Sequence, residues 1–267
     1  MMEKLIAYSD SNLLNSDPVE NVEQLIEHGA GAIELLMDGC FWEDPDPQIV
    51  KLVEILTKYK VDYSLHPPVW DINLTSENKG IREASFSEHK KAIQFAPLLK
   101  AKYVAIHPGF TYSPVFSKSE AKKRAREALS RLNEVARPLG VKLAVENVGY
   151  HGTSIFTCEE FVEFVTGFDD TIGYLIDTGH AFLNHWDIPE LIRQTQTRLL
   201  AIHLHDNGGT SDDHLVVGQG LIDWNPIYES LRNTALDFKL VLEYRQGTAL
   251  ADLQSSKEMI KKNLRLR

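Results

Sequence analysis

Residues 200–220, LAIHLHDNGGTSDDHLVVGQG, crowd His203, His205, Asp206, Asp212, Asp213 and His214 into a dozen positions around a glycine pair. Imidazoles and carboxylates are the side chains that exchange protons near neutral pH and bind divalent cations. The same types recur upstream at the ends of short apolar runs. YSLH ends at His66, VAIH at His107 and YLID at Asp177, with His180 three residues on, while LAVE and LVLE end at Glu146 and Glu243. A lone histidine at a strand end is more often structural than a ligand. Glu146 and Glu243 are harder to explain that way, because each stands where valine or leucine would be expected and an isolated buried charge is costly.

Nine candidate ligands result: His66, His107, Glu146, Asp177, His180, His203, Asp212, His214 and Glu243. One zinc uses roughly four donors and an octahedral ion about six. The count favours two or three ions sharing bridging carboxylates, within a range of one to three per chain. The mixed imidazole and carboxylate set suits zinc first, then manganese or iron, ahead of calcium. His205 and Asp206 either hold a ligand, touch substrate or are solvated, and Asp213 reads as solvated.

These residues need a scaffold that brings distant strand ends together. Eight β-rich runs span residues 4–9, 32–37, 61–66, 102–107, 142–147, 172–177, 199–204 and 239–244. Most are nearly continuous in apolar residues, as parallel strands covered on both faces are. Amphipathic stretches alternate with them. PVENVEQLIEHG (18–29) ends on a C-cap glycine, and the run 117–140 starts at Ser117 and stops at Pro138 and Gly140. CEEFVEFVTGF, DIPELIRQTQTR and DWNPIYESLRN behave similarly. Eight strand–helix alternations without a linker predict one α/β domain over residues 1–267, a single (β/α)8 TIM barrel. In that fold the C-terminal strand ends form one rim, so strands three to eight each deliver a ligand to it.

Composition narrows the partners. The 267 residues are 43% hydrophobic with a formal net charge of -10, and no run approaches the ~18 apolar residues of a membrane span. The N-terminus has no secretory pattern, and Cys40 and Cys158 make no disulfide framework, so a cytoplasmic protein with free thiols is expected. Acidic charge argues mildly against nucleic acid, although a local basic groove would be compatible with it. The loop MDGCFWEDPDP (37–47) places Asp38, Glu43, Asp44 and Asp46 on the catalytic rim, where they would repel a phosphate backbone. NGGTSDD (207–213) has no lysine or arginine, and FTYSPVFSK (110–118) has one lysine. Trp70 and Phe41 suit a sugar face or a base stack equally well. Arg245 is placed to pair with an anionic group, and Gly208 and Gly209 to offer N–H groups to phosphate. GQGLID is not a dinucleotide fingerprint, because Asp223 occupies its third glycine position.

Taken in order, HPPVWDINL, AIHPG, AVENVG, IDTGHAF, IHLHD, DDHLVVGQG and VLEYR resemble the successive motifs of the xylose isomerase-like barrel superfamily. That group contains sugar and sugar-phosphate isomerases and epimerases, and endonuclease IV, the AP endonuclease family 2. The resemblance covers strands three to eight; the first two strands match loosely. Its endonuclease IV branch implies three zinc ions: one on His66, His107 and Glu146, one on Glu146, Asp177, His203 and Glu243, and one on His180, Asp212 and His214. Its isomerase branch implies one ion on Glu146, Asp177, His203 and Glu243.

The resulting expectation is a metal-dependent isomerase or epimerase of a sugar or sugar phosphate, acting in carbohydrate metabolism. Glu146 and Glu243 would be its catalytic proton-transfer pair, and Trp70, His205 and Arg245 its substrate-binding residues. Metal ligation lowers the basicity of both glutamates, so closeness to the substrate carbon must compensate. The alternative is a trinuclear phosphodiesterase cutting DNA at abasic sites, with Glu146 as a metal bridge. A binding or scaffold protein on a degenerate barrel is the third class, and the complete ligand set counts against it.

Overall fold

A computed structural model describes residues 5–14, 16–42 and 46–266, and the side chains of these except residues 40 and 46–48. Glu43 and Asp44, and the side chains of Cys40 and Asp46, therefore lie outside the described residues. The strands are β1 (Ile6–Ser9), β2 (Ala32–Leu36), β3 (Asp62–His66), β4 (Val104–Ile106), β5 (Leu143–Glu146), β6 (Ile172–Asp177), β7 (Leu199–Leu204) and β8 (Lys239–Leu242). Each pairs in parallel with the next, and β1 pairs with β8, closing the barrel. This is the single (β/α)8 barrel the alternation predicts.

Nine helices surround it among the described residues: α1 (Pro18–Glu27), α2 (Asp46–Leu56), α3 (Lys79–Leu99), α4 (Lys118–Leu139), α5 (Cys158–Thr166), α6 (Thr178–Leu183), α7 (Ile188–Thr195), α8 (Trp224–Arg232) and α9 (Leu250–Asn263). The ninth arises after β6, where a helix pair replaces the single helix expected. Asp177 caps α6 by accepting from the His180 backbone N–H, the chain turns at His185 with φ +57°, and Asp187 caps α7 ahead of Pro189. Side-chain caps recur elsewhere. Asp17 caps α1 and Ser117 caps α4, while Thr157 and Glu160 form a reciprocal capping box on α5.

The strands are buried on both faces, and their alternation divides two cores. Ile6, Tyr8, Ile33, Leu35, Val145, Ile176 and Ile202 pack outward under the helices. Ala7, Ala32, Ala105, Ala144, Leu175, Ala201 and Val241 face the lumen with Tyr103. The five alanines share this buried cluster with the Tyr103 ring. No described helix is long and apolar enough to cross a membrane.

Candidate metal centre

The period of two that sends small residues into the lumen also places the polar rim. Two positions beyond Ser64, Ala105, Ala144, Leu175, Ala201 and Val241 stand His66, His107, Glu146, Asp177, His203 and Glu243. Each therefore points along the same face as the residue below it, one layer nearer the C-terminal mouth. Register agrees, since Asp177 lies opposite His203 across β6 and β7. Loop residues His180, Asp212 and His214 complete the cup.

His66 Nε2 and His107 Nε2 approach one oxygen of Glu146, Oε2, at 3.4 and 3.2 Å. His203 Nδ1 lies 2.9 Å from Glu243 Oε2 and 3.9 Å from Glu146 Oε2. His180 Nε2 and His214 Nε2 lie 3.1 and 3.2 Å from Asp212 Oδ2. His180 Nδ1 turns back to Asp177 Oδ1 at 3.3 Å and Glu146 Oε1 at 3.6 Å. Donor atoms sharing a zinc at ~2.0–2.2 Å are spaced roughly 3.0–3.5 Å apart, so most of these separations are those of neighbouring ligands. Four triads have donor atoms within 4.8 Å of one another: His66–His107–Glu146, Glu146–Asp177–His180, Asp177–His203–Glu243 and His205–Asp212–His214. The structure thus brings all nine sequence candidates together.

Tautomers supply the test of whether a cation fits. His66 Nδ1 donates to the Pro67 carbonyl at 2.8 Å, and His214 Nδ1 donates to the Glu243 carbonyl at 3.1 Å. A carbonyl only accepts, so the proton of each neutral ring sits on Nδ1. The Nε2 lone pairs then face the carboxylate oxygens of Glu146 and Asp212. Two lone pairs held at that distance require a proton or a metal ion between them. His180 Nδ1, His203 Nδ1 and Asp212 Oδ1 are buried and make no hydrogen bond. Such unpartnered donor atoms, all of metal-ligating types, fit a divalent cation.

The electrostatics agree. Burial opposes charge on Glu243, yet the His203 imidazole beside it holds its carboxyl well below the usual range. Asp212 is likewise held low against burial by His180 and His214. Burial pushes the His214 imidazole down, but its hydrogen bond to Asp212 and that residue's charge lift it to about 9. The cup keeps its carboxylates ionised and draws in positive charge.

Sequence reasoning missed Glu34. It lies on β2, fully buried, with Oε1 2.8 Å from His203 Nε2 and Oε2 accepting from the Tyr103 and Ser64 hydroxyls at 2.7 and 3.1 Å. Burial opposes its charge, and His203 nevertheless holds its pKa below the usual value. The signal was present: Ala32-Ile33-Glu34 repeats the spacing of Ala144-Val145-Glu146. Asn147 was also overlooked; it clamps β6 to the rim by donating to the Asp177 carbonyl and accepting from the Asp177 N–H.

Other expectations need correction. His205, assigned to substrate, is fully buried; its Nε2 lies 2.7 Å from Asp177 Oδ2 and its ring stacks on His214 at 3.9 Å. It braces Asp177 and, with Asp212 and His214, belongs to one of the four candidate triads, outside the residues that line the cavity above the cup. Asp206 is an anchor beneath the loop, accepting from the Asn207, Gly218 and Ile222 N–H groups and the Trp224 indole. Asp213 is half-buried and accepts from Gly208 N–H and Ser211 Oγ. Gly208 and Gly209 do not offer free N–H groups to phosphate, because Asp213 and Asn207 accept them. Asp38 is tied down, accepting from the Val69 and Trp70 N–H groups. Phe41 packs edge-on against Trp42 on the core.

Above the cup lies a cavity of about 340 Å³. His66, His107, Glu146, His180, Asp212, His214 and Glu243 form its polar floor, with Leu14, Leu36, Val69 and Trp70 among its apolar walls. Trp70 is 52% exposed. Arg245 contributes the one guanidinium among the lining residues, and no lysine joins it.

Known proteins resemble the chain over about two thirds of its length or more. The inosose isomerase of Bacillus velezensis is 27% identical over 96% of this chain and 95% of its own. The probable endonuclease 4 of Thermoplasma volcanium is 27% identical over 66% of this chain and 65% of its own. The crystal structure of a D-tagatose 3-epimerase-like protein superposes with a TM-score of 0.84 at 28% identity, covering 97% of both chains. The family model for the xylose isomerase-like TIM barrel matches residues 22–265, and the chain belongs to that family.

Proposed function

We propose that this protein is a metal-dependent isomerase or epimerase of a small sugar, sugar phosphate or keto-polyol. One observation carries the reading: a cavity of about 340 Å³ sits directly on Glu146 and Glu243, with one guanidinium at its rim. That volume falls within the range of small-molecule pockets, ~300–1,000 Å³. A duplex would need many cationic contacts, which this lining lacks. The inosose isomerase and epimerase-like relatives support the same substrate class.

Glu146, Asp177, His203 and Glu243 would hold the central ion. When bound, a divalent ion supplies Lewis-acid polarisation of a carbonyl and its neighbouring hydroxyl, which acidifies the C–H between them. The remaining chemistry belongs to the chain. Glu146 and Glu243 flank His203 Nδ1 and both line the cavity, so one carboxylate takes the carbon-bound proton. The other returns a proton to the opposite face or to the neighbouring carbon, making the conversion redox-neutral. Trp70 packs on the apolar sugar face, and Arg245 receives an anionic substituent where one is present. Walls from Leu14, Leu36 and Val69 restrict water around the reacting carbon.

A phosphodiesterase is the second reading. It is favoured by the His66–His107–Glu146 triad and the paired imidazoles on Asp212, which isomerisation at one ion does not require. Elemental analysis of the purified protein, together with turnover of a ketohexose, ketohexose-phosphate and inosose panel, tests the choice. Isomerised product with one tightly held ion supports the first reading. Catalytic nicking of an abasic-site duplex with two or three ions per chain would replace it by the second.

A further inference from the structure

We propose that Glu34 is a positioning residue for this centre, holding the His203 imidazole from below so that Nδ1 is presented to the ion beside Glu243. The inference rests on the metal-centre reading above and adds a residue that stands outside the ligand set.

The geometry is specific. Glu34 projects into the lumen from the middle of β2, where no water-facing surface reaches it. A buried carboxylate is stable only when its oxygens find several partners. Oε2 takes two hydroxyls, those of Tyr103 at 2.7 Å and Ser64 at 3.1 Å. Those two bonds set the plane of the carboxylate and leave Oε1 2.8 Å from His203 Nε2, a close ion-pair contact whose angle is not that of a hydrogen bond. With the ring proton drawn to Nε2, the lone pair of Nδ1 faces Glu243 Oε2 at 2.9 Å. A carboxylate behind a ligating imidazole fixes its tautomer and raises its basicity.

The lumen is built to permit this contact. Tyr103 enters just before β4, two strands from Glu34, and its ring lies among Ala7, Ala32, Ala105, Ala144 and Ala201. Larger side chains at those positions would occupy the space through which the phenol reaches Glu34. Plain filling of the barrel would be served by apolar side chains, which carry no desolvation penalty.

Zinc affinity by chelator competition and the visible spectrum of the cobalt-loaded protein test the role without an activity assay. Glu34→Gln keeps the shape of the side chain and removes its charge. We expect zinc binding weakened about 10–100-fold, an altered cobalt spectrum, and a metal-free thermal midpoint equal to or above that of the wild type. Tyr103→Phe should move affinity in the same direction by less. A merely structural Glu34 would instead lower the metal-free midpoint and leave affinity and spectrum alone. Zinc binding by Glu34→Gln within about two-fold of wild type, with an unchanged cobalt spectrum, overturns the positioning role. Should that variant fail to fold, Tyr103→Phe decides by the same comparison. A wild-type protein that takes up neither zinc nor cobalt overturns the metal-centre reading and this inference together.

Discussion

Glu146 is the residue on which most of the site converges. Three imidazoles, those of His66, His107 and His203, lie within 4 Å of its Oε2, while Oε1 faces His180. Its replacement by glutamine keeps the volume but removes both the charge and the proton acceptor. Glu146→Gln and Glu243→Gln should each lower kcat on the responsive sugar by about 10²–10⁴-fold, measured by product chromatography. His66→Ala separates the two chemistries, because His66 belongs to the triad that single-ion isomerisation leaves unused. Isomerase activity that survives His66→Ala, with one ion bound, fits the first reading. Loss of activity together with an ion would show that the outer triad takes part.

Strand ends and the loops that follow them turn these side chains into a site. The IDTGH segment does four things within five residues: Asp177 faces the cup, Thr178 donates to the His203 and His205 carbonyls, Gly179 leaves room, and His180 returns toward Asp212. A Cβ on Gly179 would fall on the His205 ring, so only glycine admits the imidazole that braces Asp177. Gly179→Ala should destabilise the protein by about 1–3 kcal/mol, as overpacking does, read from the urea midpoint. It should also weaken zinc binding by displacing Asp177. Element identity was legible because β-rich runs and capped amphipathic helices follow different periods. Ends were less so: β4 begins at Val104 and closes at Ile106, leaving His107 just past the ladder. The extra helix after β6 was hidden because its six residues sit inside a motif that reads as a ligand loop.

The barrel as a whole closes a ring of carboxylates and imidazoles over an alanine-lined lumen, and its stability should answer to whatever fills that ring. Saturating zinc at ~100 Kd adds about 2.7 kcal/mol to unfolding, or roughly 5–10 °C in Tm for a chain of this size. Differential scanning fluorimetry with and without a chelator would measure it. Acid should act separately through His89, buried on α3 with its Nδ1 donating to the Ser85 carbonyl. Burial pushes its imidazole down to about 3, below the unfolded value near 6.5. The neutral ring is therefore the folded form. Its stabilising share is complete above pH ~6.5 and is lost as the pH falls toward 3, by up to about 1.4 kcal/mol per pH unit. In metal-free protein, His89→Gln should flatten the pH dependence of the urea midpoint between pH 6.5 and 4 relative to wild type. Parallel curves would show that His89 is not buried neutral.

Sequence by itself determined the barrel and the ring of candidate ligands at its mouth, because both follow from a period of two: apolar runs that end in His, Glu or Asp point those groups along one lumen face. It also determined the acidic balance of the chain. Only the tertiary structure decided which nitrogen of each histidine faces the cup, since that depends on carbonyls such as those of Pro67 and Glu243 brought close by folding. It likewise set His205 against Asp177, and Glu34 against His203, Ser64 and Tyr103. The company of a polar side chain is set by strands distant in the chain, and local spacing records which face it points to but not what it meets there.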